Sequence, residues 1–473
     1  MGPNALQFRY CGGTIRNRVS FAGKEAQPVM FSNRELRKLL VPLVIEQVLN
    51  SLMGIADTMM VSNVGSAAVS GVSLVDSVNK LVIFLFTAMA TGGTIVCAQY
   101  LGRRDKKASN RAAQQVLLSA FALSVAVMAI CLAFRRGLLH LIFGTVEADV
   151  MTSAEIYFLI TAFSYPFLAV FDASAALYRA GGNSRLPMIV SVCSNLLNIA
   201  GNAVLMFGFE MGVAGAAIAT TGATAVSAIT MLIALRRPDQ TVEIGRFTEL
   251  RPDLRMTWLV LSIGLPTGVE NAMFQLGKLV VQSTVSTLGT TAIASNAIVA
   301  VLEFMTSMPS QAIGIGLMTV AGQCIGAGRL DEAKYYIKKL TLWSTLVLFV
   351  TNWLMFFLTK PVCALAGMEP EAAALTWRVM LVISIAKPAL WALAFVPANG
   401  MRAAGDVRFG MITTTVSMWI VRVGLTTLLC RVLGVGLIGI WCGYFGDWLV
   451  RSVVFSLRYR SGKWSQKRVI DRA

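Results

Sequence analysis

Four residues of this 473-residue chain, Asp57, Asn198, Asn202 and Thr220, have types and spacing that could do chemistry. A carboxylate with two amide oxygens and a hydroxyl makes a hard-oxygen shell suited to a small cation such as Na+. The carboxylate alone could carry a proton. Each residue lies in or beside a long apolar run, where a charged side chain costs about 2.5 to 3.5 kcal/mol and so asks for a partner or a task. Asp57 and Asn202 each fall about five residues before the outer end of a run, and Thr220 about eight residues past one, so similar depths are expected. Asn198 and Asn202, four apart, share a helix face. The competing reading is structural: Asp57 hydrogen-bonds to the two asparagines and ties helices together.

Other charges stand in apolar runs. Glu46 precedes Asp57 by eleven residues, roughly 16 Å of helix, and is either a second protonation point or a neutral carboxyl packed in place. Further along come Glu270, Lys278, Glu303, Lys387, Arg422, Asp447 and Arg451. Asp447 and Arg451 are spaced to pair along one helix. The rest either neutralise one another in a buried network, or Lys387 or Arg422 faces a cavity, favouring an anionic substrate or standing in for a cation when Glu270 is protonated. Tyr165, Trp391 and Phe395 could stack on a flat cationic substrate, or could be core or lipid-facing residues. The only histidine, His140, reads as interfacial.

The elements that must position these residues are membrane helices. The chain is 56% hydrophobic and 14% charged, with a mean hydropathy of +0.68, against about 25% charged in soluble domains. Apolar stretches of span length fall near 38–62, 75–100, 113–134, 151–178, 186–208, 212–235, 257–288, 292–325, 340–359, 374–401, 408–433 and 435–458. Ser32 with Glu35 forms a capping box that allows the first helix to start earlier. The formal charge of +17 sits mainly in the N-terminus, the even-numbered connections and the C-terminus, while the odd-numbered connections hold Arg135, Arg136, Lys360 and Arg431. This asymmetry predicts cytoplasmic termini and argues against a nucleic-acid partner. Eight cysteines, mostly inside apolar runs, read as packing residues. Residues 1–31 lack the features of a cleavable signal peptide, so the first span is expected to serve as the targeting signal.

The halves repeat at an offset close to 224. Pro42 and Glu46 match Pro266 and Glu270, Gln99 and Gly102 match Gln323 and Gly326, and Gly212 and Gly215 match Gly436 and Gly439. Arg179 and Gly182 match Arg402 and Gly405 one residue out of phase. Six spans per copy, an even number, predict an all-α membrane protein of twelve transmembrane helices. They form two six-helix lobes related by a pseudo-two-fold axis along the membrane normal. The expected organisation is a cytoplasmic N-terminal segment at 1–34, an N-lobe at 35–236, a linker at 237–256, a C-lobe at 257–458 and a basic tail at 459–473. Prolines 42, 166, 266, 309, 388 and 397 mark possible kinks.

The segments IADTMMVSNVG (55–65), QYLGRRD (99–105), LYRAGGNSRLPM (177–188), NLLNIAGNAVLMFG (195–208) and GVAGAAIAT (212–220) resemble the MATE (multidrug and toxic compound extrusion) transporters of the multidrug/oligosaccharidyl-lipid/polysaccharide exporter superfamily. The resemblance covers about residues 35–458. It implies a plasma-membrane antiporter in which H+ or Na+ entry drives export of lipophilic, usually cationic small molecules, with no further cofactor, acting as a monomer in lipid. It also implies that Asp57, Asn198, Asn202 and Thr220 form the N-lobe cation site. Position 202 is an aspartate in several relatives and asparagine here, which weakens a sodium site or shifts the balance towards protons. Glu270 resembles the C-lobe carboxylate of the sodium-coupled subgroup, but Trp391 stands where that subgroup has a partner aspartate. The alternative is a lipid-linked oligosaccharide flippase of the same superfamily, for which Lys278, Lys387 and Arg422 would supply cationic groups. With no HExxH pair, nucleophile elbow or Walker A loop, an enzyme is not expected.

Overall fold

Apolar runs with few breakers can satisfy their backbone groups within lipid only as helices or closed barrels, and here they form helices. The computed structural model describes residues 18–19, 27–144, 147–238, 240–245, 252–466 and 469–470. Cys11 and parts of the expected N-terminal segment, linker and tail lie outside the described residues. The N-terminal half holds α1 (Asn33–Ser62), α2 (Ser66–Gly102), α3 (Lys106–Ala133), α4 (Arg135–Phe143), α5 (Ala148–Ala162), α6 (Tyr165–Ala180), α7 (Arg185–Asn202) and α8 (Gly212–Leu235). The second half holds α9 (Leu254–Val285), α10 (Thr290–Gly326), α11 (Leu330–Leu365), α12 (Pro370–Ala403), α13 (Val407–Val416), α14 (Gly424–Thr427) and α15 (Leu437–Arg460). A two-residue antiparallel pair, β1 (Arg18–Val19) with β2 (Gln27–Pro28), precedes them.

Among the described residues, nine helices are long and apolar enough to cross a membrane, ten if the bent pair α5–α6 is one span. That pair turns by 50° just before Pro166, which sits at the start of α6. The two remaining span-length helices, α9 and α15, carry Glu270, Lys278, Asp447 and Arg451, and these charges meet side chains of their own lobe. The result is the expected two-lobe layout of twelve spans. Ser32 and Glu35 form the capping box of α1. The short α4 on the far side was not expected from the sequence.

Two helices end in π-helical turns, α7 through Ala203–Gly208 and the α13–α14 span through Ser417–Val423 and Leu428–Val432. The first follows Asn202, and the second contains Arg422. Widened turns of this kind are often found at functional sites.

The lobes interlock at the end that carries the chain's N-terminal segment. Leu36, Leu39, Leu40 and Leu43 at the start of α1 pack into the C-lobe core, while Met256, Leu259, Val260 and Ile263 at the start of α9 pack into the N-lobe core. Beside this exchange, the Gln99 side chain donates to the Ala403 carbonyl at 2.7 Å, and its repeat mate Gln323 donates to the Ala180 carbonyl at 2.6 Å. Gly102 lies against the Gln323 backbone and Gly326 against the Gln99 backbone, so neither site has room for a Cβ. Small residues permit this approach, as in membrane helix pairs generally.

Candidate functional site

The structure brings the four expected N-lobe residues together. Asp57 comes from α1, Asn198 and Asn202 from one face of α7, and Thr220 from α8. The Asn202 amide donates to Asp57 Oδ1 at 2.8 Å. Asn198 is best oriented with its nitrogen towards Asp57 Oδ1 at 2.9 Å and its oxygen accepting from the Thr220 hydroxyl at 2.9 Å. Asn202 is 1% exposed, and its Oδ1 has no hydrogen-bond partner among the described residues. A buried amide oxygen left unsatisfied normally costs about 1 to 3 kcal/mol, so its survival beside a carboxylate marks a place where a donor or cation fits.

Asp57, Asn202 and Thr220 line a cavity of about 410 Å³ enclosed by α1, α2, α5, α6, α7 and α8. Tyr165 lines it too, its hydroxyl donating to Asn79 Oδ1 at 2.8 Å. Sequence reasoning missed Asp76, Lys80 and Tyr157 on the same wall. The second span was expected to begin near residue 75, which left Asp76 at its edge. Because α2 begins at Ser66, Asp76 lies almost three turns inside.

Glu46 is not brought to this cluster. It lies buried opposite Arg179, at 3.6 Å. Its repeat mate Glu270 pairs with Arg402 at 2.7 Å, and Arg402 also donates to Asn399 at 2.8 Å. Each lobe thus neutralises this glutamate with its own arginine.

The other C-lobe charges form a network. Lys387, 0% exposed, contacts the Glu303 carboxylate at 2.7 Å, the Glu303 carbonyl at 2.7 Å and the Thr306 hydroxyl at 2.6 Å. Arg422 and Arg451 both clasp Asp447, the latter at 2.7 Å, and Ser417 donates to the same carboxylate. Arg422 stacks over Tyr444 at 4.1 Å. The reading in which Lys387 or Arg422 presents a free head group to a cavity is therefore corrected: both heads are spent on carboxylates.

Trp391 and Phe395, read as either substrate-stacking or packing residues, make packing contacts. Spaced four apart on α12, they stack on each other at 4.6 Å within the C-lobe, with Arg451 over Phe395 at 5.4 Å. They pack against the charge network rather than line the N-lobe cavity. The seven described cysteines are all free thiols, and His140 is exposed at the end of α4.

Two homologous helical lobes, interlocked at one end and holding a cavity with acidic and amide side chains within the first, define a multi-pass membrane transporter. Comparison with known proteins gives the family. The MatE family model matches residues 42–204 and 266–428, one copy in each lobe. The chain belongs to this family, the MATE transporters. Among the relatives, the "Uncharacterized transporter YisQ" of Bacillus subtilis is 28% identical over 438 residues, covering 91% of this chain and 95% of that protein. The "Probable multidrug resistance protein NorM" of Thermotoga maritima is also 28% identical, covering 96% and 97%. A solved structure described as "Outward-facing conformation of a multidrug resistance MATE family transporter of the MOP superfamily" superposes with a TM-score of 0.82 at 18% identity, covering 90% of this chain and 95% of that one.

Proposed function

We propose that the protein is a secondary antiporter of the plasma membrane, with cytoplasmic termini, that exports lipophilic organic cations in exchange for H+ or Na+. The observation that carries the reading is Asp57, held by Asn202 in the largely apolar N-lobe cavity beside an amide oxygen with no partner among the described residues. Names such as "Probable multidrug resistance protein NorM" among the relatives agree with it. Here Asp57 binds the coupling ion: as a proton on the carboxylate, or as a sodium ion shared with Asn202 Oδ1. Loss of that ion as the lobes tilt exposes a negative charge that a cationic substrate can use, and rebinding of the ion displaces the cargo. We take the monomer as the working unit. Of the three basic groups that a lipid-linked oligosaccharide flippase would offer its cargo, Lys387 and Arg422 are committed to Glu303 and Asp447, which leaves Lys278 alone.

The test is ethidium transport in proteoliposomes under separately imposed proton and sodium gradients. Wild type is expected to respond to at least one, and Asp57→Asn to neither while still eluting as a folded protein. Normal gradient-driven transport by that variant refutes the assignment.

A further inference from the structure

The N-lobe cavity holds a second carboxylate that the coupling scheme above does not use. Asp76, on α2, lines the same cavity as Asp57 on α1. The two carboxylates lie within electrostatic reach of each other, and the hydroxyl of Tyr157 from α5 lies within reach of both, facing Asp76. Lys80, one turn further along α2, is near Asp76, yet no described carboxylate lies within ion-pair distance of its ammonium. The titratable groups lining the cavity are Asp57 from α1, Tyr157 from α5, Tyr165 from α6, and Asp76 and Lys80 from α2. From across the cleft, Lys278 of α9 comes within reach of Lys80. The neighbouring helices α7 and α8 contribute only neutral groups: Asn202, Ala216, Thr220 and Thr224.

This wall balances two acids against one base. Were Asp76 merely a structural anchor, an ion pair with Lys80 would be its simplest state, since four residues of helix bring the two side chains together. Instead the two heads stop short of an ion pair, and the Asp76 carboxylate, hydrogen-bonded by Tyr157 and Asn79, shares the cavity lining with Lys80. We infer that Asp76 is the second acidic group of the N-lobe site, binding the organic cation together with Asp57, with Lys80 as a tethered counter-charge that weakens retention of the cargo. Asn202 contributes no charge of its own, so Asp76 supplies the additional negative charge from α2. The inference rests on the N-lobe reading proposed above and extends it to a residue-level rule for cargo charge.

The test measures binding of tetraphenylphosphonium, a monovalent cation with no ionisable group, to the purified full-length protein in detergent. Proton release is followed by an indicator dye in weak buffer. Asp57→Asn and Asp76→Asn are each expected to weaken binding about tenfold or more, the size of one charge interaction in a partly wet site, and to reduce proton release. Adding Asn202→Asp to Asp76→Asn places a carboxyl back in the cavity and should restore affinity to within about threefold of wild type. Lys80→Gln has the opposite sign and should tighten binding about three- to tenfold.

Wild-type binding by Asp76→Asn alongside impaired Asp57→Asn overturns this inference and leaves the coupling site standing. Wild-type binding by both overturns the two together. Loss in Asp76→Asn that Asn202→Asp does not restore makes Asp76 a packing partner of Tyr157 and also overturns it. If Asp76→Asn does not fold, Lys80→Gln decides, and unchanged affinity there overturns the inference.

Discussion

At the repeat offset, the N-lobe site maps onto C-lobe positions that keep the helices and replace the chemistry. Asp57 corresponds to Val281, Asn198 to Arg422, Asn202 to Thr426 and Thr220 to Tyr444. Where the N-lobe has an amide beside an acid, the C-lobe has a guanidinium stacked on Tyr444 and bound to Asp447. Arg422 is thus a covalently attached cation at the position that Asn198, a neighbour of Asp57, holds in the N-lobe. In the proposed scheme the N-lobe exchanges its charge with the outside, while the C-lobe carboxylates are paired with cations of their own chain.

The same conservative substitution should therefore fail in different ways on the two sides. Asp447→Asn leaves Arg422 and Arg451 buried without a counter-charge, a loss of about 3 to 5 kcal/mol. Low yield and a large drop in melting temperature in detergent are expected. Asp57→Asn keeps a side chain of the same size in the N-lobe cavity and should melt within about 1 kcal/mol of wild type while abolishing transport. If Asp447→Asn proves as stable as Asp57→Asn, the C-lobe is not sealed by its charges.

A sharper form of the contrast uses Lys387. Lys387→Met strands the Glu303 carboxylate and should also destabilise by about 3 kcal/mol or more, whereas Lys387→Met with Glu303→Gln removes both charges and should recover most of that loss. Melting curves of the single and double variants measure the difference. No recovery in the double variant would mean that Lys387 matters through its contacts to Thr306 and the Glu303 carbonyl instead.

The interlocked end gives a smaller effect on conformation. Gly326→Leu places atoms where the Gln99 backbone lies, at a cost to the closed end of about 1 to 3 kcal/mol. Spin labels at the exposed positions Lys107 and Lys338 should then report longer distances between α3 and α11. Unchanged distances would show that the glycine contact does not hold this end shut.

Much of this was readable beforehand, for identifiable reasons. Helical spans announce themselves by length and apolarity, and the repeat by shared Pro, Glu, Gln and Gly. Asp57 with its asparagines stood out because polar groups in apolar runs need partners. What stayed hidden depends on register between distant segments. Neither Glu46–Arg179 nor Glu270–Arg402 is suggested by spacing, since each joins helices more than a hundred residues apart. The π-helical turns after Asn202 and around Arg422 leave no periodic trace, and Asp76 was lost to a span end placed nine residues late.

Those two glutamate–arginine pairs also allow the finest comparison between lobes. Arg179 lies opposite Glu46 at 3.6 Å and has Asp172 within electrostatic reach as well, so it keeps an acid if Glu46 is neutralised. The corresponding C-lobe stretch offers Phe395 and Val396, both apolar, and among the described residues Arg402 pairs with the Glu270 carboxylate alone, at 2.7 Å. Glu270→Gln should therefore cost more than Glu46→Gln, by about 1 to 2 kcal/mol, because it leaves a half-buried guanidinium with amide partners alone. Paired melting measurements decide the matter. Equal losses would show that Asp172 does not share Arg179, and the N-lobe would then be no richer in acid at this level than its repeat.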